Sequence, residues 1–280
     1  MGIRIITDST SDIDLAQAKK MGITIVPLKV IFGDREYREG IEITLDNFYP
    51  KLISADKLPT TSQPSPDDFL KHFIEAKEAG DSVIVILVSG KLSGTLQSAN
   101  IAKEIADYSN IFIVDSFNAI MGLRILVEEA VKMRDEGAPV SKIIASLEDL
   151  RERIVLLAMV DTLEYLHKGG RLSKTSALLG TLLKFKPIIT LKNGMIDLAG
   201  KERGLRKGID RIITLIEEAG PIDKTYPTYF GFTAEDSKCI LLRDKVMEKF
   251  HIGASKVLPV GCVIGTHAGP GAAAIVYVRK

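Results

Sequence analysis

The chain predicts an α/β protein of two domains, the first with a mainly parallel sheet covered by helices and the second with a mixed sheet. Three observations carry this expectation. Short β-branched runs in the first half each pass through a polar turn into a segment of helical period, as βα units do. The runs Ser82 to Val88 and Ile111 to Val114 are almost continuously apolar, the composition of strands buried on both faces. Beyond about residue 150 the order of elements changes, and Lys192-Asn193-Gly194 between two apolar runs signals an antiparallel hairpin.

Taken in order, Ile3 to Ile6 is a strand that runs into Thr7-Asp8-Ser9-Thr10, and Ile23 to Ile31 reads as the second strand. Residues 33 to 64 carry charges, three prolines and the run Pro59-Thr60-Thr61-Ser62-Gln63-Pro64, which predicts a long loop of the kind that is usually functional. Ser65 is an N-cap, Pro66 suits the first helical position, Asp67 and Asp68 suit the positive end of the helix dipole, and Gly80 stops the segment. The strand Ser82 to Val88 leads into Ser89-Gly90-Lys91-Leu92-Ser93-Gly94-Thr95, and Ile111 to Val114 leads into Asp115-Ser116. Amphipathic segments at Ala119 to Glu136 and Val140 to Leu150 close the first domain, placing the boundary near Glu148 to Glu152 and the domains at 1–150 and 151–280. The second domain then reads as a strand at Ile154 to Val160, a loop at Lys168 to Arg171, the hairpin Ile188 to Leu198, and a helix over 204 to 219. A strand at Thr228 to Phe232, a helix at Glu235 to Phe250, a strand at Lys256 to Ile264 broken by Pro259, a glycine-rich loop and a strand at Ala272 to Val278 complete it.

Composition narrows the function classes. Thirty-seven Lys plus Arg against 36 Asp plus Glu leave a net charge of +1, so there is no global field to hold a nucleic acid or an acidic bilayer. Arg203, Arg206, Lys207 and Arg211 alternate with Ile209, Ile212 and Ile213 as on the solvated face of an amphipathic helix. Cys239 and Cys262 stand far apart in apolar surroundings, which suits buried reduced thiols in a cytoplasmic protein. No apolar run approaches the length needed to span a bilayer. His72, His167, His251 and His267 show no metal-ligand spacing, so no metal and no cofactor are expected. Gly90-Lys91 lacks both the following hydroxyl and the upstream glycine of a phosphate loop, and the glycines around Ser93 do not have the spacing of a nucleophile elbow.

What remains is a set of hydroxyls at the carboxyl ends of strands, where open α/β sheets place their ligands. Thr61, Ser62, Ser89, Ser93 and Ser116 are neutral donors suited to a carboxylate or phosphate. The same residues also serve as simple helix caps, and residue type alone favours capping.

Six segments are recognisable together: Thr7-Asp8-Ser9-Thr10-Ser11-Asp12, Thr61-Ser62-Gln63-Pro64-Ser65, Ser89-Gly90-Lys91-Leu92-Ser93-Gly94-Thr95, Val114-Asp115-Ser116, Gly169-Gly170-Arg171-Leu172-Ser173 and His267-Ala268-Gly269-Pro270-Gly271. In order and spacing the chain resembles the DegV family of bacterial fatty-acid-binding proteins from its first strand to its last. The resemblance implies a long-chain fatty acid such as palmitate held in a tunnel between the domains. It also implies presentation of that lipid to a separate ATP-dependent fatty acid kinase, which makes acyl phosphate for phospholipid synthesis. By the same resemblance Thr61, Ser93 and His267 contact the carboxylate, Ser62, Ser89, Asp115 and Ser116 support them, and Arg171 and Arg203 face the kinase. A second class stays open: an acyl hydrolase or transferase with Ser93 as nucleophile and His267 as base. That chemistry also needs a group to orient the histidine and an oxyanion hole.

Overall fold

The computed structural model describes residues 2–172, 185–253 and 255–280. Its chain divides into two compact units, one made of Met1–Ile43 and Thr61–Glu152, the other of Thr44–Thr60 and Arg153–Lys280.

In the first unit a parallel sheet of order β2-β1-β6-β7 is formed by β1 (Ile3–Asp8), β2 (Ile23–Val26), β6 (Ser82–Leu87) and β7 (Ile111–Asp115). Every residue of β6 is buried, as a central parallel strand requires. Helices α1 (Leu15–Met21), α3 (Pro66–Ala79), α4 (Thr95–Ala106), α5 (Ile120–Asp135) and α6 (Val140–Arg153) accompany it. Phe69, Phe73 and Ala76 of α3 and Ala99, Ala102 and Ala106 of α4 pack with Val83, Val85 and Leu87 of β6 in one apolar cluster. The start of α3 is the expected one: Ser65 and Asp68 form a reciprocal capping box, Pro66 opens the helix and Gly80 ends it at φ 68°.

The expected strand Ile23 to Ile31 is two strands. Pro27 has no N–H to give a ladder, and the Leu28 N–H turns instead to Ser9 Oγ at 3.0 Å. Beyond it, β3 (Lys29–Phe32) joins a separate sheet of order β4-β3-β5 with β4 (Arg35–Arg38) and β5 (Thr60–Ser62). The expected loop over 33 to 64 therefore holds β4, β5 and a helix, α2 (Leu45–Ile53), capped by Thr44 and Asn47 in a capping box. Helix α2 buries Phe48, Tyr49 and Leu52 and belongs to the second unit, so residues 44–60 leave the first unit that the sequence boundary gave them to.

The second unit carries a mixed sheet of order β10-β9-β8-β13-β11-β12. Its strands are β8 (Ile154–Met159), β9 (Lys186–Lys192), β10 (Met195–Glu202), β11 (Thr228–Phe232), β12 (Ser255–Pro259) and β13 (Ala273–Val278). Among the described residues only β11 with β12 is a parallel pair of strands in this sheet; the other four pairs run antiparallel. Asn193 at φ 51° and Gly194 at φ 77° make the β9–β10 turn. Helices α8 (Leu205–Ala219) and α9 (Ser237–Phe250) follow the expected segments, whereas α7 (Glu164–Lys168) is a short helix that the sequence reading does not give; Ile209, Ile212 and Ile216 of α8 join Cys239, Leu242 and Val246 of α9 in the core. The strand expected to run on to Ile264 stops at Pro259. Cys262–Ala268 is instead a helix, α10, so His267 sits in a last helical turn and not in a glycine-rich loop. Among the described residues no helix is long and apolar enough to cross a membrane.

Candidate functional site

The hydroxyls at the ends of β6 and β7 are consumed by turn geometry in a specific way. Ser89 is buried; its N–H donates to the Asn118 carbonyl at 2.9 Å, its Oγ accepts from Lys91 N, and its carbonyl accepts from Leu92 N and Ser93 N. Ser116 N donates to Leu87 O, and Ser116 Oγ donates to Asn118 O while accepting from Asn118 N. The Asp115 carboxylate accepts from Phe117 N at 3.0 Å and from Gly90 N at 3.3 Å. These three residues thus tie the turn after β7 to the turn after β6. Two side-chain-bearing residues of that segment, Phe117 and Ile120, hold φ of 53° and 48°, a conformation that a β-branched residue adopts only under constraint from its surroundings. The Arg151 guanidinium supplies some of that constraint, lying 4.3 Å from the Phe117 ring centroid and donating to Asp115 O.

Ser93 is left at the mouth of the braced turn, half-buried, just before α4. Its Oγ lies 2.8 Å from Thr95 Oγ1 and accepts from Thr95 N at 3.3 Å. Neither partner is a base. The next residue, Gly94, has φ −74°, which any residue adopts, so its lack of a side chain answers a need for room. A Cβ there would overlap the Gln63 carboxamide. Gln63 Nε2 donates to Ser98 Oγ at 2.8 Å, which fixes the end of β5 beside the head of α4. Thr61 and Ser62 lie on that strand, both half-buried, with Ser62 Oγ donating to Gln63 O. Within the first unit, then, Gln63 joins the segment carrying Thr61 to the turn carrying Ser93. Gln63 and Gly94 lie inside two of the quoted segments, yet their role depends on a contact distant in sequence.

In the second unit His267 is 9% exposed. Burial, and after it the Arg171 guanidinium, push its pKa down to about 4, so near neutral pH the imidazole is uncharged with one donor and one acceptor nitrogen. Helix α10, which carries it, packs closely on α2: a Cβ on Gly265 would meet the Tyr49 hydroxyl at 2.7 Å, and that hydroxyl donates to Val260 O. The turn that follows α10 is pinned by Asp161, whose carboxylate accepts from Lys186 and Lys238 at 2.8 Å each, while Lys238 also donates to Gly271 O. Burial raises the Asp161 pKa, but these lysine hydrogen bonds and charges outweigh it and hold the carboxyl below its ordinary range. Arg171 donates to the Gly169 carbonyl at 2.7 Å. Arg203 is exposed, its guanidinium 4.9 Å from the Phe185 ring centroid. Ser173 of the Gly-Gly-Arg segment lies outside the described residues. Among the described residues no group of three or more His, Cys, Asp and Glu is placed to hold a metal ion.

Comparison with known proteins gives this arrangement a family. The profile described as "Uncharacterised protein, DegV family" matches residues 2–280. A DegV domain-containing protein of Caldanaerobacter subterraneus subsp. tengcongensis is 36% identical over 280 residues, covering 99% of both chains. A DegV family protein of Thermus thermophilus, solved for its fatty acid binding, superposes with a TM-score of 0.91 at 34% identity over 100% of both chains. A stearic acid-binding protein of Eubacterium ventriosum superposes with a TM-score of 0.90 at 27% identity, over 100% of this chain and 99% of its own. Matched from its second residue to its last, and more than a third identical to a relative of the same length, this chain belongs to the DegV family.

Proposed function

We propose that this protein binds one long-chain fatty acid, with Thr61, Ser93 and His267 as donors to its carboxylate, and presents that carboxylate to an ATP-dependent kinase. The observation that carries the binding reading is the full-length likeness to fatty-acid-binding DegV proteins, joined to a braced turn that offers a neutral hydroxyl at the head of α4. A sixteen-carbon chain buries about fifteen carbons, and at roughly 0.8 kcal/mol each its tail supplies on the order of 12 kcal/mol before ordering costs. The head group contributes less, about 0.5 to 3 kcal/mol per hydrogen bond, and fixes which end is presented. Neutral donors suit the kinase role on chemical grounds. A lysine or arginine counter-ion would hold the carboxylate harder and blunt it as the nucleophile that attacks the terminal phosphorus of ATP.

The acyl hydrolase alternative draws no support from the partners of Ser93, which are the Thr95 hydroxyl and amide. Activation of a serine calls for a base within hydrogen-bond reach.

Mass spectrometry of an organic extract of the purified protein is expected to show a saturated or monounsaturated fatty acid at about one per chain, since affinity of this origin survives chromatography. After delipidation, Thr61→Ala and Ser93→Ala are each expected to weaken palmitate binding by about 1 to 3 kcal/mol with the fold intact. An empty extract together with no thermal shift on adding palmitate overturns the binding reading. Ester hydrolysis by the isolated protein that is lost in Ser93→Ala favours the hydrolase.

The kinase reading has its own test. Arg171→Glu is expected to reduce acyl-phosphate formation with purified kinase and ATP far more than it weakens palmitate binding, because a reversed charge replaces attraction by repulsion in a docking surface. Unchanged acyl-phosphate formation removes Arg171 from that surface.

A further inference from the structure

The two glycines of the Gly169-Gly170-Arg171 segment are glycine for different reasons. Gly170 has φ 71°, the left-handed region that side chains rarely adopt, and a Cβ there would meet nothing within 4 Å. Its demand is conformational. Gly169 has φ −74° and ψ −8°, ordinary helical backbone open to any residue. Its demand is spatial, because a Cβ at Gly169 would overlap His267 Nδ1 and lie 2.9 Å from its Cε1. The Tyr165 carbonyl, which accepts from Gly169 N, also lies 3.0 Å from the same point. A backbone carbonyl cannot move aside as a flexible side chain does, so the ring would have to give way. The Gly169 carbonyl meanwhile accepts from Arg171 Nη1 at 2.7 Å.

We propose that Gly169 is a positioning residue for His267: the absence of a side chain at 169 makes the seat in which the imidazole lies, and the carbonyl of the same residue fixes the Arg171 guanidinium beside it. The proposal deepens the reading of His267 as a donor to the fatty-acid carboxylate and rests on that reading for its effect on affinity. A donor nitrogen contributes only when it is aimed, and a ring pushed out of its seat loses the geometry of its hydrogen bond. Burial first, and the neighbouring guanidinium after it, depress the basicity of His267.

The experiment uses delipidated full-length protein, palmitate titration and the imidazole NMR spectrum, in which the His267 signal is assigned by its loss in His267→Ala. Gly169→Ala is expected to move the His267 signal and weaken palmitate binding about tenfold, the worth of one hydrogen bond to a charged group. Gly170→Asn, which tolerates positive φ, is expected to change neither. In the His267→Ala background Gly169→Ala is expected to add no further loss, because the ring it displaces is gone.

An unmoved His267 signal in Gly169→Ala overturns the proposal, and so does a loss of affinity that persists undiminished without the imidazole. Should Gly169→Ala fail to fold, recovery of folding in Gly169→Ala/His267→Ala supports the proposal and failure of both overturns it. Unchanged palmitate affinity in His267→Ala overturns the carboxylate reading of that residue, and the position of the His267 signal then still decides the role of Gly169.

Discussion

Replacing Asp8 by alanine is expected to cost about 3 to 5 kcal/mol of stability. The side chain is wholly buried at the end of β1. It accepts from Thr10 N at 2.9 Å, Thr10 Oγ1 at 2.6 Å and, across the sheet, Val88 N at 2.7 Å. Burial raises its pKa, and the bonds from Thr10 and Val88 work against that rise. Alanine leaves two buried amides without an acceptor, at about 1 to 3 kcal/mol each, and adds a small void. Asp8→Asn keeps the volume and one acceptor oxygen but turns an NH₂ group toward an amide donor, so it should fall between wild type and alanine. Urea unfolding of the delipidated proteins measures the difference, and hydrogen exchange at Val88 locates it. A loss below about 1 kcal/mol in Asp8→Ala would mean that water takes over the carboxylate's place.

Acid is expected to destabilise the protein through His267 by about 3 kcal/mol between pH 6.5 and pH 4. The unfolded imidazole takes its proton near the ordinary 6.5, whereas the folded one, desolvated by burial and lying near Arg171, waits until about 4. Between those values the unfolded state binds the extra proton, so stability rises with pH across the window and is lost as pH falls through it. Above the window both states are neutral; below it both are charged, and the slope from this residue vanishes. Asp8 acts in the opposite sense, since its raised pKa makes the folded state take up a proton first. The measurement is therefore a difference. Urea-derived stability from pH 4 to 8 should climb more steeply in wild type than in His267→Gln, and superimposable profiles would show that the imidazole titrates normally. Arg171→Ala should shorten the window from its acid end and so reduce the effect without abolishing it, because burial is the larger cause.

Elements whose signals are local were readable from the residues. Strand β6 is an unbroken apolar run, α3 opens with Ser65-Pro66-Asp67-Asp68, and the β9–β10 turn has its Asn-Gly pair. The misread segments are those whose state is set from elsewhere. Val263 and Ile264 suggest a strand, yet they lie in α10, where Gly265 admits the side chains of α2. The capping box of α2 was present in Thr44 and Asn47, but Pro50 inside the helix and the charged stretch before it gave the segment the look of a loop. The same distinction runs through the candidate site. Thr61, Ser93 and His267 stand in recognisable segments. Gln63, Gly94 and Gly169 act by the room they fill or leave, and room is defined by neighbours that the local sequence does not name.

The membership of residues 44–60 in the second unit bears on how the chain is made. Helix α2 is translated early, but the Val260 carbonyl that receives the Tyr49 hydroxyl lies 211 residues downstream. At about 5 to 20 residues per second, ribosomes need roughly ten to forty seconds to supply it. Throughout that interval Phe48, Tyr49 and Leu52, all buried in the finished protein, have no completed surface to cover them. The nascent chain thus carries a sticky amphipathic helix for most of its synthesis. Holdase chaperones should find this segment first, and slowing elongation in the downstream half of the message should lengthen the time over which they can be crosslinked to it.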